Sequence, residues 1–430
     1  MERISKIFRL HIVLFGTIFC LGSVHAQDSM FLDIERVISQ VKNDNIQIKK
    51  ELLKTKVAHG EYLEAKEWWL PNVFLGTTFH HLDGATINSD GRIFRNVDRQ
   101  SRWYGGNVNL NWDIGKGIST IKSKKAQLEK AELLGLYAQN SVVLSAIETY
   151  YSLLSITAQK ALYEDLKNNK DDLLTQLKVQ VDAGLILEGE YLLAKGNRSL
   201  FSLRILDLQY RFEQVLSDML LTLNLEKIDG LYYDMNDLSI INIDTLIANE
   251  NKEHPFINAL KKKKKGETLE AKAMINSLLI PHFGIGYGVG PFGEGYSDAD
   301  NTYRVEGYLG WNIPLGQLFY AGKRKKSEAK QKIYTLEIFE AQMLFKRKIT
   351  EFKKKLTNSR AILTLAKQGG TDAKAALEYA IQRQNKGIGN IHDVLLYQEE
   401  YVQVMILYFN AVADYNVTFY KLKEAMGERL

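Results

Sequence analysis

Apolar positions along this 430-residue chain recur with two different periods, and the periods alternate twice. In 30–68, Ile34, Val37, Ile38 and Val41 share one side of a helix. From Ile118 to about Asp182, Leu128, Ala131, Leu134, Ala138, Val142, Ala146, Tyr150 and Leu153 follow one another at helical spacing. Their alternation of three and four residues is the spacing with which helices pack side by side in coiled coils. At 1.5 Å per residue that stretch predicts a rod of roughly 100 Å. Ordinary globular helices run to about three turns, so the chain builds something elongated. Gly184 and Gly387 stand where a helix can end in a left-handed residue and reverse sharply into the next.

Between the helical stretches the period drops to two. Asn107, Asn109, Asn111 and Asp113 alternate with Val108, Leu110, Trp112 and Ile114. In 282–290, Phe283, Ile285, Tyr287 and Val289 alternate with His282 and four glycines. In 303–313, Val305, Leu309, Trp311 and Ile313 take one face, and Arg304, Glu306 and Asn312 the other. The segment 73–82 is less regular, with Val73, Leu75 and Phe79 on a shared face. Each run is about ten residues, the length of a tilted membrane strand with one lipid-like and one water-like side. All five tryptophans, Trp68, Trp69, Trp103, Trp112 and Trp311, lie in or beside these runs, as expected of aromatics at a bilayer interface. The segments 83–102 and 291–302, polar and rich in Gly and Asp, are predicted as turns facing outward. A soluble sandwich would also bury one face, but strands separated by rods of this length do not easily form one globular core.

The two periods appear in two copies. Leu63-Glu64-Ala65-Lys66 before Pro71 recurs as Leu269-Glu270-Ala271-Lys272 before Pro281; Asn111-Trp112-Asp113-Ile114 as Gly310-Trp311-Asn312-Ile313; Ala183-Gly184-Leu185 as Lys386-Gly387-Ile388. The offsets are 206, 199 and 203, which marks an old duplication with small insertions. Glu190 and Leu192-Leu193 follow the first glycine turn as Asp393 and Leu395-Leu396 follow the second. The predicted class is mostly α with a small β part. Repeat 1 covers 27–223, with a strand pair at about 70–114; an acidic linker or mixed element covers 224–252; repeat 2 covers 253–430, with a strand pair at about 281–314.

Composition adds a compartment. Arg3, Lys6 and Arg9 precede the apolar stretch Ile12–Leu21, and Val24-His25-Ala26 offers a cleavage site, so 1–26 reads as a secretory signal peptide. Cys20, the single cysteine, lies inside it and follows the bulky Phe19, which speaks against lipidation; cleavage after Ala26 leaves no disulfide and no thiolate metal site. The leader holds three basic residues and Glu2, so the formal charge of +5 falls to about +3, no nucleic-acid binder's excess. The run Lys261–Lys265 reads as a solvated helix face, with an interaction patch as the other reading. Five prolines, with some 180 residues between Pro71 and Pro255, leave room for very long helices.

Beyond the leader no run of eighteen apolar residues remains for a transmembrane helix. The remaining way across a bilayer is a closed β-barrel, because unpaired edges are forbidden in lipid. Four strands fall short of the roughly eight that the smallest barrels need, so the chain must oligomerise.

On these residues the chain resembles the TolC-like outer-membrane efflux proteins over about 30–427. The resemblance is carried by the duplicated plan, the Leu-Glu-Ala-Lys segments leading to proline and strand, His254-Pro255 opening the second repeat, and the acidic residue six positions after each glycine turn. It implies a homotrimer with a twelve-stranded barrel on a twelve-helix periplasmic tube. It implies docking to a periplasmic adaptor and an inner-membrane transporter, in tripartite efflux or type I secretion. The tips Gly184, Leu185, Gly387 and Ile388 would contact the adaptor, and Glu190 and Asp393 would line the periplasmic entrance, where a carboxylate ring favours cations. Asp393 is equally explained as a helix N-terminal acid. A second aspartate and a basic residue known from some relatives are replaced by Leu396 and Gly389.

An enzyme finds little support. No Cys/His/carboxylate cluster has metal spacing, no cofactor site is expected, and no Gly-x-Ser-x-Gly or phosphate loop occurs. His80-His81 reads as strand and loop surface, and the glycines of 284–290 thin a strand face. A periplasmic coiled-coil scaffold without a pore is the alternative; it explains the rods but not the tryptophan-flanked strands.

Overall fold

The structure, a computed structural model, describes residues 33–88, 90–226, 253–294, 299–313, 315 and 321–430. The predicted leader with Cys20, and all but the first three residues of the acidic segment 224–252, lie outside that description. The first half holds α1 (Ile34–Asp44), α2 (Ile46–Glu64), β1 (Asn72–Ile87), β2 (Ile93–Trp112), α3 (Ile114–Asp182) and α4 (Glu188–Leu223). The second holds α5 (Pro255–Leu279), β3 (His282–Gly293), β4 (Asp300–Gly310), α6 (Gly322–Asn385) and α7 (Ile391–Ala425). Helix, strand pair, long helix and helix thus follow each other twice.

The long helices α3 and α6 run from the strands to the far end. At 69 residues α3 is about 100 Å long, and it starts four residues before the predicted Ile118 because Asp113 caps it, accepting from the Lys116 N–H at 2.9 Å. In the half next to the strands the neighbours follow the order α2, α3, α5, α6; in the other half the order is α4, α3, α7, α6. Each long helix is therefore flanked by two short ones set end to end.

The predicted helix over 30–68 is broken in two at Asn45. Its backbone is extended (φ −61°, ψ 129°), and its side chain accepts from the N–H groups of Gln47 and Ile48, satisfying donors at the start of α2. The same side chain donates to the Thr222 carbonyl at 2.7 Å, on the last turn of α4. One asparagine thus closes the end of one helix and the start of the next. His254 occupies the matching joint between α7 and α5, accepting from the Phe256 N–H at 3.2 Å.

The Asn45 joint lies in the largest apolar core, built from Val37 and Val41 of α1, Val143, Ile147 and Leu154 of α3, Met219 and Leu223 of α4, and Val412 and Phe419 of α7. The His254 joint lies on a smaller cluster of Ile257, Ala341, Phe345 and Ala425. The charge-poor part of α3 has the length and apolar content to cross a membrane, but 56% of that stretch is buried by its neighbours. A second core joins α3, α4, α6 and α7 towards the far end. The run Lys261–Lys265 is a surface of ion pairs: Lys262 reaches Glu129 at 2.6 Å and Lys263 reaches Glu337 at 3.1 Å, while Lys261 pairs with Glu253.

The strands correct two predicted turns. The segment 83–102 is not a long loop: β1 runs to Ile87 and β2 starts at Ile93, with a turn around Gly91 (φ +80°). The segment 291–302 is likewise shortened, since β3 reaches Gly293 and β4 starts at Asp300. At the other ends, β2 stops at Trp112, so Ile114 is helical, and β4 stops at Gly310. Trp311 and Ile313 therefore leave the predicted strand.

Candidate membrane-facing sheet and hairpin tips

The four strands form one antiparallel sheet in the order β1-β2-β3-β4. Directly opposed residues share a face, and the register assembles one from the predicted apolar sets. Val73 opposes Val108, which opposes Tyr287, which opposes Val305; Leu110 opposes Ile285, and Phe283 opposes Leu309. This face is seven to nine residues deep on each strand, roughly 23–30 Å of strand. Among the described residues no other element covers it: Leu75 is 80% exposed, Val305 71% and Leu309 66%.

The opposite face carries Asn107, Asn109, Asn111, Arg304 and Glu306 over a row of glycines on β3. The Tyr308 ring lies flat across Gly284, where a Cβ would stand 2.1 Å from it, and its hydroxyl donates to Asn111 Oδ1 at 3.0 Å. With side chains on only one face, β3 lets its neighbours close in over the polar side. Gly105 and Gly290 meet where the two halves of the sheet join. A Cβ on Gly105 would stand 2.1 Å from the Val289 carbonyl oxygen, and one on Gly290 2.1 Å from that of Tyr104.

The tryptophans divide into three roles. The Trp112 indole donates to the Trp69 carbonyl at 2.8 Å, and the Trp311 indole to the Leu279 carbonyl at 3.4 Å. Each acceptor lies two residues before the proline that leads into the neighbouring hairpin strand, so the same staple fixes both hairpin bases. Trp68 packs over Gly117 at the start of α3. Trp103, placed by sequence among the interface aromatics, stands on the polar face, stacked on Phe74 at 6.4 Å between centroids.

Above the apolar face the β1–β2 hairpin runs on past the ends of β3 and β4. Arg102 pairs with Gly293 near the end of the β2–β3 ladder, and His81, Asp83, Asp98 and Gln100 take the positions of the apolar residues. His81 faces Asp98 at 3.6 Å on the surface, as the surface reading of His80-His81 expects.

At the far end α3 and α6 finish identically. The Leu185 N–H donates to the Gln180 carbonyl and the Gly184 N–H to that of Val181; Ile388 and Gly387 repeat this with Arg383 and Gln384. Both glycines have φ +70°, the left-handed position that a side chain resists. Leu185 is 74% and Ile388 68% exposed. Glu190 and Asp393 lie in the first turns of α4 and α7, both half-buried and in no salt bridge among the described residues. Tyr191 and Ala194 of α4 and Ile391 and Val394 of α7 belong to one extended apolar cluster with α3 and α6. Gly389 is fixed by space: a Cβ there would stand 2.6 Å from the Gln384 backbone nitrogen.

Among the described residues no three His, Cys, Asp or Glu side chains gather as metal ligands. A groove of about 1050 Å³ between α3, α4 and α7 is lined by Glu148, Gln159, Arg204, Asp207, Lys421 and others of both signs, an open surface without a single ligand chemistry. Ser155 donates to Asn410 at 2.8 Å along its wall.

No family model matches this sequence, and no curated protein does. Its fold, however, is that of solved outer-membrane channels. A membrane protein from Pseudomonas aeruginosa is 15% identical with a TM-score of 0.80, over 93% of this chain and 92% of that one. The outer-membrane channel OprN is 14% identical with a TM-score of 0.78, over 92% and 89%. The Campylobacter jejuni CmeC outer membrane channel is 14% identical with a TM-score of 0.76, over 92% and 85%. The resemblance seen in the sequence is thus met in the fold: a helical barrel segment under a small β-sheet.

Proposed function

We propose that this chain is the protomer of an outer-membrane channel that serves as an exit duct for an inner-membrane transporter. The observation that carries the reading is the uncovered apolar face of an open four-stranded sheet. β1 and β4 each have one neighbour, so in lipid their outer edges need partners. Copies of the same sheet supply them. Three copies give twelve strands, within the range of membrane barrels, and the same rotation continues the helical layer from α6 of one copy to α2 and α4 of the next. The polar face with its asparagines then lines the bore, and the rods extend through the periplasm.

In this reading the hairpin tips around Gly184-Leu185 and Gly387-Ile388 dock on a periplasmic adaptor, and Glu190 and Asp393 ring the entrance. Tripartite efflux and type I secretion both use such a duct. The test is reconstitution of the purified oligomer in a planar bilayer, with fractionation beside it. A channel stays with detergent-extracted outer membranes and conducts ions; release by osmotic shock and absence of conductance would identify a periplasmic scaffold instead.

A further inference from the structure

The start of α6 is built against its own helix. Lys323, Arg324, Lys325 and Lys326 follow one another in its first turn, where the macrodipole is positive and cations are unfavourable. No acid stands in that turn, and Ala321, in the left-handed region at φ 47°, offers no side-chain cap. All four are exposed in the single protomer. Arg324 reaches Glu328 at 2.9 Å on the surface, while Lys323, Lys325 and Lys326 have no ion pair among the described residues. Four consecutive positions at 100° per residue leave no side of the turn neutral.

Their depth follows from a fixed contact. Lys330 of α6 bonds Glu267 of the antiparallel α5 at 2.9 Å. Leu279, where α5 runs into the sheet, is 12 residues above Glu267, or about 18 Å. Lys323 lies about 10 Å above Lys330, and Lys326 about 6 Å. The basic turn therefore sits roughly 8–12 Å beneath the base of the apolar face, just outside the hydrocarbon layer and within reach of headgroups. On the matching helix α3, Lys116 and Lys122 are exposed at similar depth. Of the nearest carboxylates, Glu328 is taken by Arg324, and Glu270 acts on Lys330.

We propose that Lys323–Lys326, with Lys116 and Lys122, form a docking surface for anionic phospholipid headgroups of the leaflet facing the helical shaft. The proposal rests on the membrane-channel reading. Basic residues at a negatively charged lipid surface each favour association about fivefold, and that gain offsets the unfavourable helix start. The collar adds a second constraint on how deep the sheet sits, beside that of the apolar face.

The full-length oligomer is tested by flotation with liposomes of phosphatidylcholine alone or mixed with phosphatidylglycerol, with conductance as a second readout. Wild type should enter both and favour the anionic mixture by roughly tenfold or more at low salt, declining as salt screens the charges. The variant Lys323→Gln/Arg324→Gln/Lys325→Gln/Lys326→Gln should lose that preference yet still enter phosphatidylcholine. Its melting temperature in detergent should equal or exceed that of wild type; a lower one would indicate a structural role and overturn the proposal. The control Lys353→Gln/Lys354→Gln/Lys355→Gln, on the same helix far from the sheet, should keep the preference. Inorganic phosphate should compete no better than chloride at equal ionic strength; selective competition would assign the surface to free phosphate instead. Equal entry of wild type into both lipids, or a preference retained by the quadruple variant, overturns the collar and leaves the channel standing. Entry into neither lipid overturns both.

Discussion

His254 Nε2 stands 3.6 Å from Glu424 Oε1, with both side chains more than nine-tenths buried, across the joint where α7 ends and α5 begins. The imidazole lies on the Phe345 ring at 3.6 Å between centroids, and Gly427 closes against its backbone. Burial and the charge of Glu424 push the nearby Tyr137 hydroxyl up. His254→Ala removes the α5 cap and leaves Glu424 with a lost partner, for an expected cost of about 2–4 kcal/mol. His254→Asn keeps a capping side chain, as Asn45 does in the first repeat, and should recover part of it. Thermal unfolding of the two variants decides; equal stabilities would mean that the cap contributes nothing.

Gly105 and Gly290 admit no side chain at the seam of the sheet. Gly105→Ala or Gly290→Ala should part β2 from β3 and reduce the yield of folded oligomer severalfold on native gels. Gly310→Ala, where a Cβ meets nothing within 4 Å, is the matched control and should assemble normally.

The register puts Leu110 and Ile285 opposite one another in the middle of the uncovered face. Arginine at either position should oppose insertion by about 2–4 kcal/mol, whereas Asn107→Arg on the other face should be tolerated. Insertion yields in the reverse order would mean that the faces are inverted.

Asp393 follows the Gly387 reversal in the first turn of α7. In the proposed channel Asp393→Ala should lower cation preference and weaken block by divalent cations. The reversal potential in a salt gradient measures this. An unchanged value would reduce Asp393 to a helix N-terminal acid, worth about 0.3–1 kcal/mol of stability.

Glu129 of α3 and Lys262 of α5 tie the two repeats together. The hydrogen bond from Lys262, then its charge, hold the Glu129 carboxyl below the usual carboxylate value. A depressed folded value means that the pair adds stability above the unfolded pKa and loses it as pH falls through the lower, folded one. Wild type should therefore melt higher than Glu129→Gln at neutral pH, and the difference should vanish in acid. A difference that persists there would assign the effect to packing.

Periodicity revealed the rods, the reversals at Gly184 and Gly387, and the apolar face, because each depends on repetition along the chain. The upper part of the first hairpin is hard to read because Asp83 and Asp98 put charge on one of its faces and Arg99 on the other. Its strands are held by the backbone ladder, which leaves no alternation to read. The break at Asn45 was hidden for another reason: the apolar stripe of α1 carries on into Ile48 across the joint, and only the contact with Thr222, 177 residues away, shows why the helix stops. The indole staples of Trp112 and Trp311 likewise depend on partners set by the fold. The face that Trp103 takes is set by its pairing with Thr78 and Phe292, which composition does not reveal.

The unequal heights of the two hairpins set the outline of an assembled pore. In the proposed ring of three copies the rim would be crenellated, with three two-stranded merlons built from β1 and β2 rising above β3 and β4. Whatever left that bore could then spill sideways between them, and anything sealing the mouth from outside would have to match three notches rather than a flat lip.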